Sequence, residues 1–435
     1  MKKAGRVCGV LGAMAALCLM LILPAMPLGA APGGAGNTAT PESAATPVPT
    51  PAESVPSAVP AGQAGEYRAV WVSYLEWQNV DFSSESAFAA DVGAMLDNIA
   101  AMGANVVLAH VRPFGDALYP SEYYPFSHLC TGTQGQDPGF DPLALLVQAA
   151  HDRGLELEAW VNPYRLQSGG TPGTLAADNP ANIHPDWVKT VDGGLYLDPA
   201  DPDVRGYIAA GVGELCQNYD IDGVHFDDYF YPATDPAFDE TDYAAYCEGG
   251  GTLALADWRR QNVDELVALC WQTAHGYGVR FGIAPQGDPD SNYQNQYSDA
   301  ARWLAEEGFV DYLMPQLYWG LDYTKSGDAS HSLTALAGRW LEMERREDVA
   351  LYFGLGAYRI GEGDGGDISG PGTEWQSGGA LAAQADALAE LGGQGIGLYR
   401  YDSLFGNTLW PTLASQEVAA LRGRIPDGPE EKPAG

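Results

Sequence analysis

The feature that most constrains this chain is an alternation of short apolar runs with longer helix-patterned segments, repeated eight times. Strands are expected at residues 67–73, 104–111, 155–161, 221–226, 280–284, 310–315, 350–355 and 395–399. Helices are expected between and after them, at 84–102, 141–153, 203–218, 253–275, 297–307, 332–344, 379–391 and 411–421. Strands alternating with helices specify parallel strands joined by crossovers, and eight such units predict an α/β fold, the (β/α)8 TIM barrel. An open doubly wound sheet would need a Gly-rich phosphate turn after its first strand, and VWVSYLEWQNVD contains none.

The segments after the strands are elaborate: Arg112-Pro113-Phe114-Gly115-Asp116, Asn162-Pro163-Tyr164-Arg165, Pro285-Gln286-Gly287, Pro315-Gln316-Leu317-Tyr318-Trp319, Tyr358-Arg359 and Arg400-Tyr401-Asp402. The segments before the strands are short and plain. Barrel enzymes build their sites from the loops at the carboxyl ends of the strands, so this asymmetry marks a functional face.

The fourth unit, IDGVHFDDYFYP at 221–232, carries the sharpest local signal. Strand side chains alternate, so Val224 and Phe226 should face outward, with Gly223, His225 and Asp227 inward. Asp227 then points into the barrel mouth and Asp228 begins the loop. Buried acids are costly unless used or paired, and adjacent carboxylates at a strand end mark a site. Asp227 is the first choice for a catalytic carboxylate, and a one-residue register error would substitute Asp228.

Taken together, RAVWVSY, HVRPFGDALYPSEYYP, AWVNPYR, VDGG, DGVHFDDYFYP, WRRQNVDELV, FGIAPQG and DYLMPQLYW resemble the glycosyl-hydrolase-like family 10 domain, a group of secreted bacterial TIM-barrel proteins. The resemblance runs from Arg68 to Trp319, with a weaker echo in GLYRYDSL near the last strand. It implies glycoside hydrolysis, in some members of peptidoglycan strands stripped of their peptides. Such hydrolysis normally uses two carboxyl groups. No strand ends in a Glu, which departs from the most familiar retaining layout. Asp116 matches the family pattern and is a candidate second carboxylate, or else a structural Asp that orients Arg112. Asp402, Asp322 and Glu76 are alternatives.

Arg112, Asn162, Arg165, His225, Gln286, Gln316 and Tyr318 are candidates to bond sugar hydroxyls or to hold the carboxylates, with His225 favoured as a supporting residue. Trp160, Trp319 and Tyr229 are candidates to stack on sugar faces, with Trp160 equally able to fill the core. No metal or cofactor is called for. A non-catalytic carbohydrate-binding barrel is the alternative reading.

Net charge is -35, from 22 Lys+Arg against 57 Asp+Glu, which excludes a nucleic acid partner and leaves a glycan. The basic start and apolar run within residues 1–30 read as a signal peptide or an uncleaved anchor, and cleavage would leave no stable membrane insertion. Residues 31–64 are a Pro/Ala/Thr/Ser-rich tether, 65–423 the barrel, and 424–435 a polar tail. A secreted or cell-surface location follows. Cys216 and Cys270 are expected as buried thiols, and the compartment permits a Cys130–Cys247 disulfide.

Overall fold

The computed structural model describes residues 66–368 and 373–424. The expected signal segment and tether, and all but the first residue of the polar tail, lie outside the described residues. Within them, the main sheet is a ring of parallel strands. Strands one to five are Tyr67–Val72, Val106–Arg112, Glu156–Val161, Gly223–Phe226 and Arg280–Ile283. The sixth comes in two pieces, Tyr312–Leu313 and Gln316–Leu317, and so does the seventh, Ala350–Leu351 and Phe353–Gly356. The eighth is Gly395–Tyr399.

Each strand pairs in parallel with the next. The first piece of strand six pairs with strand five, both pieces with strand seven, and strand eight closes on strand one through Tyr67 opposite Gly395. The sixth strand was expected to stop at Pro315. Proline lacks an N–H and interrupts the ladder there, but its carbonyl still accepts from the Gly354 N–H at 2.8 Å, so pairing resumes beyond it. The fold is therefore the expected TIM barrel.

Helices cover the outside because their apolar residues recur on one face. In Glu85–Met102 that face is Phe88, Val92, Met95, Leu96, Ile99 and Met102, all buried. Ser84 caps its start by accepting from the Ala87 N–H at 3.2 Å, and Gly103, at φ 88°, ends it. The fifth crossover helix is shorter than expected, Ala300–Ala305. Tyr297 sits in the left-handed region at φ 54°, which breaks the helical path, and the Asp299 carboxylate caps the restart by accepting from the Arg302 N–H. After strand three the chain adds a small antiparallel sheet of Arg165–Gln167, Val188–Val191 and Gly194–Leu197. Both central residues of its hairpin, Asp192 and Gly193, have positive φ, as a two-residue turn requires.

The barrel interior is filled chiefly by aromatics. Tyr67, Trp71, Trp160, Tyr312 and Met314 form a core distinct from the larger one between sheet and helices. Gly282 makes room for them, since a Cβ there would collide with the Tyr312 ring. One acid, Glu158, is buried among them. It accepts from the Tyr67 hydroxyl at 2.9 Å, the Arg280 guanidinium at 2.7 Å and the Tyr312 hydroxyl. A buried carboxylate is tolerable when paired and fully bonded, as this one is. Cys216 and Cys270 are buried thiols as expected, and Cys130 and Cys247 are unbonded, so the disulfide is not formed. Among the described residues no helix is long and apolar enough to cross a membrane.

Candidate active site

The fourth strand has the expected alternation. Val224 and Phe226 belong to the outer core, and His225 faces inward. His225 accepts from the Trp71 indole N–H at 3.2 Å through Nε2, and its Nδ1 lies 2.7 Å from the Tyr312 hydroxyl. Tyr312 in turn donates to Glu158, so Nδ1 carries the proton and His225 is the donor to Tyr312. Burial pushes its pKa down to about 3, keeping it neutral. His225 is fully buried under the mouth, on the barrel axis, where its hydrogen bonds go to Trp71 and Tyr312.

Asp227 sits one step above. It is 4 % exposed and accepts from the Asn162 amide at 3.1 and 3.2 Å, the Trp160 indole N–H at 3.2 Å and the Tyr229 backbone N–H at 3.1 Å. Asp228 is less buried, and its carboxyl accepts from the Gln316 amide at 3.0 Å. The environments separate the two acids. Burial raises both, but Asp227 is surrounded by donors and by the Arg165 charge, which oppose the rise. Asp228 is pushed up to about 6, first by burial and then by the negative charge of Asp227. The donors around Asp227, and the negative charge of Asp227 beside Asp228, both favour the shared proton on Asp228.

The expected binding residues divide. Asn162 and Gln316 hold the pair, and Gln316 also bonds the Ala284 carbonyl at 2.8 Å. Gln286 is bridged to Gln316 at the end of strand five and approaches Asp228. Arg165 lies at the mouth among Tyr74, Phe114 and Tyr229. Tyr229 is exposed on the rim, with the Arg165 guanidinium 5.5 Å from its ring centre. Tyr318 lies flat against Tyr399 at 5.7 Å and meets Tyr358 edge-on at 5.5 Å. Trp319 is half-buried against Tyr323 and His331. Trp160 is 5 % exposed and stacks on His110 at 3.7 Å, so it fills the barrel rather than meeting sugar.

Arg112 and Asp116 are elsewhere. A bulge between His110 and Arg112 adds one residue to strand two and turns Arg112 to the outer face. There it is buried against the helix Pro202–Asn218, with its guanidinium 4.3 Å over the Tyr124 ring. It is not a mouth residue. Asp116 is fully buried in the loop after strand two, bonded to His128 at 3.2 Å and Gln134 at 3.0 Å. None of its hydrogen bonds reaches Arg112, Asp227 or Asp228. Glu76 is also occupied, clasping the ends of strands one and eight through Ser73, Arg400 and the Asp402 N–H. Sequence reasoning missed Tyr74 and Tyr399 at the mouth. Their place at the ends of strands one and eight was the available signal.

A closed (β/α)8 barrel with two unlike carboxyls at its mouth, ringed by tyrosines, has the architecture and donor set of a carbohydrate-handling barrel. The chain matches the Glycosyl hydrolase-like 10 family over residues 66–367, and it belongs to that family. It is 38% identical over 333 residues to "Glycosyl hydrolase YngK" of Bacillus subtilis, covering 71% of this chain and 64% of that one. It is 36% identical over 358 residues to "Glycosyl hydrolase DigH" of Escherichia coli K12, covering 74% and 79%. The chain thus spans just under two thirds of the Bacillus relative. Among solved structures, the PgaB (BpsB) glycoside hydrolase domain of Bordetella bronchiseptica superposes with a TM-score of 0.51 at 15% identity, covering 82% of this chain and 98% of that one. The β-amylase catalytic domain of Paenibacillus polymyxa gives 0.53 at 13%, covering 82% and 97%. These likenesses bear on the fold alone.

Proposed function

We propose that this protein is an exported glycoside hydrolase acting on a bacterial wall or extracellular glycan, with peptide-free peptidoglycan strands as the first substrate to try. The observation that carries this reading is the unequal pair at the end of strand four, one carboxyl pushed up to about 6 and its neighbour wrapped in donors. The relatives named glycosyl hydrolases support the reaction type.

Asp228 gives its proton to the glycosidic oxygen as the bond to the anomeric carbon breaks. Asp227, held negative by Trp160, Asn162 and the Tyr229 N–H, stabilises the positive charge that develops on the sugar ring. Water completes the reaction by adding its oxygen to the anomeric carbon. The proton it loses returns to Asp228, now a carboxylate. The tyrosines of the mouth offer apolar faces to the sugar rings on either side.

The test is release of new reducing ends from peptide-stripped peptidoglycan and from a panel of soluble oligosaccharides. Wild type should cut at least one, and Asp228→Asn should cut none of the unactivated substrates. Binding without cutting, on every substrate, would leave a carbohydrate-binding barrel instead.

A further inference from the structure

Most buried arginines in this protein have acidic partners. Arg259 meets Asp239 at 2.5 Å and Arg280 meets Glu158 at 2.7 Å. Arg165, at the mouth, is the exception that faces the site. It is 9 % exposed, its Nε donates to the Pro113 carbonyl at 3.0 Å, and its guanidinium lies 4.7 Å from the Phe114 ring centre and 5.5 Å from that of Tyr229. Its two terminal amino groups bond no protein atom among the described residues, and they are not sealed from solvent. Its backbone N–H is fixed at 3.0 Å by Asn162, the residue that also bonds Asp227. The guanidinium is therefore held by its Nε and its flat faces, with the outer fork left open beside the catalytic pair.

His110 lies within range of the Arg165 charge. It is fully buried, stacked on Trp160 and edge-on to Tyr74, and among the described residues neither ring nitrogen has a hydrogen-bond partner. In a chain with 57 acids and 22 Lys+Arg, an arginine that makes no direct ion pair, with the charge of Asp227 nearby, stands out beside the site. A rigid planar fork suits a carboxylate, which accepts two parallel hydrogen bonds from it.

Resting on the glycosidase reading, we infer that Arg165 is a specificity residue that reads a carboxylate carried by the glycan next to the scissile bond. The sugar chemistries that present such a group include a lactyl ether whose peptide has been removed and a hexuronic acid. A single carboxylate is the expected target, because the net charge of -35 disfavours a densely anionic polymer.

The test uses matched oligosaccharides that differ only in whether the carboxylate is free or converted to the primary amide, one pair of lactyl type and one of uronic type. Binding by calorimetry and kcat/KM are measured for the whole protein, and in parallel for Arg165→Gln and Arg165→Lys. Wild type should prefer the free carboxylate of one pair by about tenfold or more, as a charged hydrogen-bonded contact gives. In Arg165→Gln the preference should fall to about one, whatever the absolute rate, and Arg165→Lys should restore only part of it. Equal binding and cutting of free and amidated forms in both pairs would overturn the assignment. So would a wild-type preference that survives intact in Arg165→Gln. Preference in binding with no cutting would overturn the hydrolase reading and leave Arg165 as a reader of the bound glycan.

Discussion

Asn162 donates its side-chain amide to both carboxyl oxygens of Asp227, at 3.2 and 3.1 Å, while its own oxygen accepts the Arg165 backbone N–H at 3.0 Å. One residue at the end of strand three thus fixes the carboxylate on strand four and the start of the loop that carries Arg165. Asn162→Ala should leave Asp227 less able to stay ionised. The low-pH limb of activity should move to higher pH, and kcat should fall by about 10–100-fold, the loss of a hydrogen bond to a charged group. An unchanged low-pH limb would show that Trp160 and Arg165 suffice.

Asp228 sets the other limb. Because its pKa is pushed up to about 6, it holds a proton below that pH and loses it above, so kcat/KM should fall as pH rises through about 6. The same group makes stability depend on pH. Its folded value lies above the ordinary carboxylate value, so its contribution to stability is favourable at low pH and is lost as pH rises toward about 6. Asp228→Asn should therefore raise Tm at pH 8 by about 2 °C or more relative to its effect at pH 4. Thermal unfolding at the two pH values measures this.

The barrel floor depends on Glu158. Its carboxylate is shared by Tyr67, Tyr312 and Arg280, all inside the ring. Glu158→Gln leaves the Arg280 charge without its innermost partner and should cost about 3–5 kcal/mol of stability. Denaturant unfolding should show an earlier midpoint.

Behind the barrel, Gly211 lies against Arg112. A Cβ at 211 would collide with the Arg112 Nη1 and come within 2.6 Å of the Tyr124 ring. Gly211→Ala should destabilise by about 1–3 kcal/mol through overpacking. The KM for any cleaved glycan should stay the same, since Arg112 points away from the mouth. A raised KM would return Arg112 to the site.

The barrel was legible because strand–helix alternation depends only on local pattern, and Val224 and His225 fell on their expected faces for the same reason. Arg112 was misplaced because a single bulge after His110 reverses the face of the residues beyond it, and no residue type announces it. The antiparallel insertion after strand three was missed although Asp192-Gly193 carries a hairpin signal in the sequence. The difference in surroundings between Asp227 and Asp228 was not readable at all. It depends on which donors surround each acid, and those come from strands three, four and six. The same holds for Asp116, whose partners His128 and Gln134 lie in its own loop.

In the proposed reaction Asp228 donates the proton and Asp227 supplies the charge. The most direct measurement compares Asp228→Asn and Asp227→Asn on the cleaved glycan and on an aryl glycoside of the same sugar whose phenol is too acidic to need protonation. Asp228→Asn should lose the glycan but keep most of its rate on the activated glycoside, while Asp227→Asn should lose both. Loss of both by Asp228→Asn, with the activated glycoside spared in Asp227→Asn, would reverse the two roles and contradict the claim.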